Sequence, residues 1–183
     1  DFWEFNPQSG VWTQKANFPI GVSYAAAFSV NNKGYISTGY DWNGNSMNNL
    51  YEYDPANNIW IQRANFPGAS RMFATAFNIG SKGYLGTGDL GSGGSIDFWE
   101  YDPVIDVWTQ KANFGGVARG MAVGFSIGNK GYIGTGQSGN TELNDFWEYN
   151  QATDIWTQKT NFTGVGRKAA SGFSIGNYGY IGT

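Results

Sequence analysis

The sequence predicts an all-β fold assembled from a short structural repeat, and three observations lead to this prediction. One tryptophan position recurs with a spacing of 48 residues, at Trp12, Trp60, Trp108 and Trp156. Between these positions lie short runs of β-branched and aromatic residues separated by glycine, proline, asparagine or aspartate, the pattern of strands and turns. Aromatic residues make up 17% of the 183 residues and 28 are glycine, which is typical of neither a coiled coil nor a disordered chain.

The unit spanning residues 67–114 illustrates the first two strands of each repeat. Strand A is expected at residues 73–79 and carries the small residues Ala74, Thr75 and Ala76, which suit a crowded position near a central axis. Strand B is expected at residues 83–87. The turn between them, residues 80–83, supplies glycine where the backbone needs a positive φ, and Asn31 takes that role in the first repeat.

The same unit predicts two further strands, C at residues 98–101 and D at residues 107–113. Pro103 and Asp106 lie in the intervening turn, where proline fixes φ and aspartate accepts a left-handed conformation. Strand D is expected at the outer edge of the sheet. Basic side chains recur there and would protect that edge from pairing with another chain, at Lys15, Arg63, Lys111 and Lys159.

Four-stranded antiparallel units repeated at this length predict the blades of a β-propeller. The motif DFWEYDP at Asp97, followed by VW and then by a hydrophobic strand that ends in a glycine turn, resembles Kelch repeats over essentially the whole chain. One departure is that the Kelch double glycine is replaced by Thr-Gly, as at Thr87-Gly88. The resemblance implies a ring that usually has six or seven blades.

The repeat boundaries predict three complete blades, at about residues 19–66, 67–114 and 115–162, and a split blade formed by residues 163–183 and 1–18. Pairing of the two pieces would close a ring of four blades. We expect instead that the chain is part of a longer repeat array or that several chains combine. The chain begins within a strand motif, so a mature product or a segment is expected.

Composition excludes several functional classes. The formal net charge is −3 and only 14% of residues are charged, so neither nucleic acid nor an anionic membrane surface is an expected partner. No apolar run approaches the ~18 residues of a membrane span. The absence of cysteine and histidine removes thiol, imidazole and most metal chemistry, and no cofactor is expected.

The Kelch resemblance also implies possible enzymatic relatives. Copper oxidases of this kind need histidine ligands and a Tyr–Cys cofactor, which this sequence lacks. A sugar epimerase that uses arginine and glutamate remains an alternative. No carboxylate pair departs from the repeat, so a non-catalytic protein is expected.

Two charged series follow the repeat. Glutamate recurs in strand C at Glu4, Glu52, Glu100 and Glu148, and arginine recurs before strand A at Arg71, Arg119 and Arg167. These groups could form a ligand-binding ring, because guanidinium groups bind carboxylates and polyols. Because the pattern repeats with the fold, structural ion pairs are expected instead, with Arg119 or Arg71 as the partner of Glu100.

The B–C loops, residues 40–49, 89–96 and 137–144, differ in sequence while their surroundings repeat, so they are the expected recognition face. The candidate ligand-binding residues are Trp42, Asp41, Asp89, Glu142, Arg71, Arg119 and Arg167. Trp42 lies outside the repeat register and is the expected anchor, whereas the periodic tryptophans are expected in the core. The Asn- and Gly-rich segment after Asp41 lacks the calcium-loop pattern and predicts a turn.

These observations predict a recognition or scaffold module that binds a protein or a glycan through its loops, in an extracellular or cell-surface, bacterial-type setting. Self-association of chains into a larger ring or a fibre is the rival interpretation.

Overall fold

The computed structural model describes residues 1–182, which form antiparallel strands and turns without any helix. The predicted all-β class is therefore confirmed. Three four-stranded sheets share one strand order, in which each strand pairs with the next strand of the same sheet along the chain. Their strands are β4 (Ala26–Val30), β5 (Lys33–Ser37), β7 (Leu50–Asp54) and β8 (Ile59–Arg63); β9 (Thr75–Ile79), β10 (Lys82–Gly86), β11 (Phe98–Asp102) and β12 (Val107–Lys111); and β13 (Val123–Ile127), β14 (Lys130–Gly134), β17 (Phe146–Asn150) and β18 (Ile155–Lys159).

Four smaller sheets have two strands each. Two of them lie towards the ends of the chain, and two are short pairs near the loops. Their strands are β1 (Trp3–Asn6) and β2 (Val11–Gln14); β19 (Ser171–Ile175) and β20 (Tyr178–Gly182); β3 (Val22–Ser23) and β6 (Tyr40–Asp41); and β15 (Gln137–Ser138) and β16 (Thr141–Glu142).

The first strands of successive sheets, β4, β9, β13 and β19, lie beside one another. This close approach depends on a glycine at the start of the second strand. A Cβ on Gly83 would collide with the Phe28 ring of the preceding sheet, and a Cβ on Gly131 would collide with Phe77. The turn itself uses the earlier glycine, Gly80, at φ +55°. The two glycines therefore have different roles: Gly80 forms the turn, and Gly83 gives space to the Phe28 ring. From the sequence, both were assigned to the turn at residues 80–83.

A repeated joint connects the outer strands of neighbouring sheets. The Trp108 indole N–H donates to the Ala64 carbonyl at 2.9 Å, and the Ala64 N–H donates to Asp106 Oδ1 at 2.9 Å. The Tyr101 hydroxyl donates to the same carboxylate oxygen at 2.7 Å. Asp106 has φ +55°, as its position in the turn predicted. The same bonds recur around Asn58 and Asp154, so the turn residue also fastens one sheet to the next.

The two pieces of the expected split blade do not meet. Strands β1 and β2 pair with each other, and Phe2 of this end packs against Tyr53 and Trp60 at centroid distances of 4.8 and 5.1 Å. Strands β19 and β20 pair with each other and lie beside β13. Within residues 1–182 neither pair contacts the other, so the described sheets form an open series and not a closed ring.

This arrangement corrects the prediction that all periodic tryptophans lie in the core. Trp108 and Trp156 are buried between sheets, but Trp3 and Trp12 are exposed on β1 and β2. The reason is that burial of each indole requires a preceding sheet, and no preceding sheet covers β1 and β2 among the described residues.

Candidate functional site

The B–C loops and the residues that lead into the first strands gather at one end of the sheets. Each loop pairs with residues before a first strand. Asp89 pairs with Met72, Ser95 with Arg119, and Gln137 with Gly120. Since Ser95 and Arg119 belong to successive units, the loops join neighbouring sheets into one continuous surface, here called the loop end.

Four residues in an unusual backbone conformation run across the loop end: Tyr24, Phe73, Met121 and Ala169. They have φ between 53° and 59°, a left-handed region that residues other than glycine, asparagine and aspartate rarely adopt. Successive members are joined by backbone hydrogen bonds of 3.0 to 3.1 Å, from Phe73 to Tyr24, from Met121 to Phe73 and from Ala169 to Met121. The Tyr24 and Phe73 rings lie 4.3 Å apart. Strained backbone of this kind clusters at functional sites.

A small depression of about 150 Å³ lies beside this series. Phe73 and Met121 contribute its apolar wall, while Asp89 and Gln137 contribute a carboxylate and an amide. The remaining lining residues are glycines, Gly91, Gly93, Gly94, Gly120 and Gly139. The depression therefore offers apolar contact, hydrogen-bond donors and acceptors, and accessible backbone within a small space.

Two predicted site residues, Asp41 and Trp42, lie in the first loop and do not line this depression. Asp41 accepts hydrogen bonds from the backbone N–H groups of Asn43 and Asn45 at 2.9 and 2.8 Å, as expected for a turn. These bonds, the one from Asn45 foremost, hold the pKa of Asp41 below its ordinary value. The Trp42 indole is 85% exposed and lies against Gly21, where a Cβ would collide with it.

The structure separates the other two acidic candidates. Asp89 lines the depression and accepts a hydrogen bond from the Gly91 N–H at 2.8 Å. Glu142 lies on β16 opposite Gln137 and is 3.7 Å from the Lys168 ammonium, with less than half of each side chain exposed. Only Asp89 among the predicted acidic residues therefore belongs to the depression.

The arginine candidates do not form an accessible ring. Arg71 and Arg119 are 1% and 0% exposed. Arg71 binds Asp97 through both of its terminal nitrogens, and Arg119 binds Asp145 in the same way. Each guanidinium also stacks on a phenylalanine, with Arg119 4.8 Å from the Phe114 centroid. Arg167 repeats this stacking on Phe162 at 4.5 Å.

The aspartate partners were not foreseen, because the predicted partner of Arg119 or Arg71 was Glu100. The aspartate that opens each DFWEY motif is the actual partner. Burial opposes ionisation of Asp145, but hydrogen bonds from Arg119 and Trp147 hold the pKa of this carboxyl below its ordinary value. Arg71 and Arg119 therefore fasten the start of the third strand to the loop end.

The glutamates of the third strands have partners within their own sheets. Glu52 accepts hydrogen bonds from Tyr35 and Arg63 at 2.9 and 3.0 Å, and Lys33 lies 3.2 Å away. Although burial opposes it, these hydrogen bonds lower the pKa of Glu52. Glu100 accepts from Tyr84, and Glu148 accepts from Tyr132 and Lys130. The expected ion pairs are present for Glu52 and Glu148, with Arg63, Lys33 and Lys130 as partners in place of Arg71 and Arg119. The expected arginine partner of Glu100 is wrong, because this carboxylate accepts its hydrogen bond from the Tyr84 hydroxyl.

Sequence reasoning missed Phe73, Met121 and Gln137 as site residues. A signal was present, because the position that precedes the first alanine of strand A reads Tyr24, Phe73, Met121 and Ala169 while its surroundings repeat. The strained backbone of this position could not be read from the sequence, because it is set by hydrogen bonds between sheets.

Two structural absences concern the described residues 1–182. They include no helix that could cross a membrane. They also include no group of three or more acidic side chains placed to hold a metal ion.

Comparison with known proteins identifies the fold and no more. No protein-family model matches the chain. No curated protein matches it either. Among solved structures, the structure of YjhT is similar, with a TM-score of 0.83, 14% sequence identity and 97% of this chain covered. This chain spans 66% of the length of that structure.

Proposed function

We propose that this chain is a non-catalytic recognition module, an arc of a Kelch-type β-propeller that binds a glycan at its loop end. The propeller assignment is supported by the four-stranded sheets, whose strands follow one another in chain order, and by the adjacent position of their first strands. The Kelch assignment is supported by the repeated DFWEY and VW motifs.

The observation that carries the proposal is the depression beside Phe73 and Met121. Asp89 and Gln137 can exchange hydrogen bonds with sugar hydroxyls, and Phe73 and Met121 can contact the C–H faces of a sugar ring. Its volume of about 150 Å³ suits one sugar unit better than a protein surface. A glycan that continues outwards would pass over the variable loops.

The non-catalytic part of the proposal is supported by the partners of the strand charges. Glu52, Glu148, Arg71 and Arg119 are held by ion pairs and hydrogen bonds that repeat from sheet to sheet. Catalytic groups are individual and asymmetric, whereas these groups serve the same structural role in each unit. Asp89 is the one titratable group among the residues that line the depression, so the depression lacks a carboxylate pair.

The test is binding of the chain to an immobilised panel of oligosaccharides, followed by calorimetric titration with any oligosaccharide that is retained. Asp89→Asn and Gln137→Ala are each expected to weaken binding about two- to tenfold. Asp89→Asn replaces one acceptor oxygen of the carboxylate by an amide donor, and Gln137→Ala removes the side-chain amide from the depression. Ser92→Ala is the matched control, since Ser92 lies in the same loop but does not line the depression.

Retention of no oligosaccharide would exclude the glycan proposal. Retention that is unaffected by Asp89→Asn and Gln137→Ala would place the site elsewhere and contradict it as well. Turnover of a retained sugar would contradict the non-catalytic part.

A further inference from the structure

A second surface, which shares no lining residue with the depression at the loop end, is an apolar groove of about 480 Å³ beside β19 and β20. Aromatic side chains form most of its wall, namely Phe125, Tyr132, Phe146, Phe162 and Tyr180. The groove lies on the side of the third sheet that faces away from the second sheet. Among residues 1–182, no strand pairs with the free edge of β20.

The repeat shows what belongs in such a groove. One unit earlier, the positions equivalent to Phe146 and Phe162 are Phe98 and Phe114. Phe98 lies 4.9 Å from both Tyr149 and Trp156 of the next sheet, and Phe114 lies 5.0 Å from Trp156. In that position, therefore, a tyrosine and a tryptophan from the third and fourth strands of the following unit fill the groove.

The matching pair of aromatic side chains is exposed at the other end of the chain. Phe5 and Trp12 occupy the repeat positions of Tyr149 and Trp156. Their rings lie 5.0 Å apart, compared with 5.1 Å for Tyr149 and Trp156. Phe5 is 47% exposed and Trp12 is 62% exposed. The chain thus presents both an unfilled groove and the side chains that fill this groove elsewhere in the fold.

We propose that a second copy of this chain docks head to tail, inserting Phe5 and Trp12 into the groove and pairing its β1 with β20 of the first copy. The register follows from the pairs Tyr132↔Glu148 and Ile133↔Trp147 in the third sheet. One unit on, Tyr180 lies opposite Glu4 of the second copy, and Ile181 lies opposite Trp3. This proposal is independent of glycan binding.

The polar groups also match in this register. Tyr132 donates to Glu148 at 3.0 Å, and Tyr180 would donate to Glu4 in the same way. The Trp156 indole donates to the Ala112 carbonyl at 3.1 Å, and Trp12 would donate to the carbonyl of Thr160, the equivalent residue. The contact completes a four-stranded sheet from two halves and covers two exposed strand edges. Because the contact is heterologous, copies assemble into a closed ring or a longer array.

Sedimentation equilibrium of the chain is the first test. We expect species that are integer multiples of 20.0 kDa and that dissociate on dilution. Trp12→Glu is expected to return the chain to the monomer, because it places a charge in the aromatic groove. Trp42→Glu is the matched control, since Trp42 is 85% exposed and lies on the first loop, and it is expected to leave the association unchanged.

A monomer at all concentrations would overturn the proposal. Association that survives Trp12→Glu would also overturn it.

A cross-linking experiment tests the register itself, and the absence of cysteine makes the chain suitable for it. Trp3→Cys and Ile181→Cys chains are prepared separately, mixed and oxidised with oxidised glutathione. A disulfide-linked heterodimer is expected, because residues 3 and 181 would be directly opposite on the same face. Gly182→Cys mixed with Trp3→Cys is the control, since residue 182 faces the opposite side. Equal cross-linking in both mixtures would overturn the proposed register.

Discussion

The Arg119 guanidinium forms two hydrogen bonds, of 2.5 and 2.6 Å, to the Asp145 carboxylate, although the two residues are 26 positions apart. A third hydrogen bond, of 2.9 Å, reaches the Thr135 carbonyl. The guanidinium is therefore surrounded by acceptors while it stacks on Phe114. It therefore connects the segment before β13 to the start of β17 and to the loop between β14 and β17.

This geometry predicts that Arg119→Lys lowers the free energy of unfolding by about 2 kcal/mol, although the charge is kept. A lysine has no planar fork with which to bind both carboxylate oxygens and the carbonyl. Urea unfolding followed by tryptophan fluorescence measures the effect.

Arg63→Lys is the control for this comparison. Arg63 binds Glu52 through two nitrogens, but the equivalent residues of the next two units are Lys111 and Lys159. A change below about 0.5 kcal/mol is expected there. Equal losses in Arg63→Lys and Arg119→Lys would contradict a special role for the buried pair.

The left-handed backbone of the loop end predicts an unusual response to substitution at Met121. Met121→Gly is expected to leave the free energy of unfolding unchanged or to raise it by up to ~1 kcal/mol, because glycine adopts φ +56° without strain. Met121→Val is expected to lower it by about 1 kcal/mol or more, because a β-branched residue tolerates this φ poorly. Thermal unfolding of both variants measures the difference.

Met72→Val provides the comparison within the same surface, because Met72 has no positive φ. If Met72→Val is as destabilising as Met121→Val, strain is not the cause. If glycan binding is found, Met121→Gly should weaken it while the fold remains intact, because the apolar wall of the depression is removed.

The repeat allowed the strands to be predicted, because turn residues and aromatic positions recur with a single period. Asp106 illustrates the success, since its turn conformation followed from its residue type. Asp97 illustrates the limit. Asp97 is the partner of Arg71, which lies 26 positions earlier, because the folded loop end brings the two residues together. A local sequence pattern does not predict a contact over this separation. Phe73 and Met121 were missed for the same reason, because their conformation is fixed by bonds to neighbouring sheets.

The buried tyrosines and the half-buried Tyr132 predict a loss of stability in alkali. Burial first, and the hydrogen bond to Glu148 second, raise the pKa of Tyr132 to about 12. Burial and carboxylate partners also raise the pKa values of Tyr35, Tyr84, Tyr101 and Tyr149. Because the neutral form is favoured in the folded state, this contribution is complete below the ordinary value of 10 and is lost as the pH rises through the folded values.

Urea unfolding at a series of alkaline pH values measures this dependence. The free energy of unfolding is expected to fall steadily above about pH 10. Tyr132→Phe should be less stable at neutral pH, since Glu148 loses a donor, but should lose less between neutral and alkaline pH. A stability that is constant from neutral pH to about pH 12 would contradict the raised pKa values of these tyrosines in the folded state.

The turn between β1 and β2 predicts a substitution that strengthens the proposed contact between copies. The other units have Asn58, Asp106 or Asp154 at this position, each with a positive φ and each accepting a backbone N–H from the preceding unit. Gly10 occupies the position in the first turn, with φ +70° and open space where a Cβ would lie. It has no side chain to accept the Thr160 N–H of a docked copy.

Gly10→Asn is therefore expected to lower the dissociation constant between copies about two- to tenfold, since one hydrogen bond contributes about 0.5–1.5 kcal/mol. Asparagine tolerates the left-handed conformation, so the isolated chain should remain folded. Gly80→Asn is the matched control, because Gly80 has φ +55° and open space, and the first unit already carries Asn31 at that position. Sedimentation equilibrium of both variants would show tighter association for Gly10→Asn alone; equal tightening in both, or none in either, would contradict a hydrogen bond at this turn.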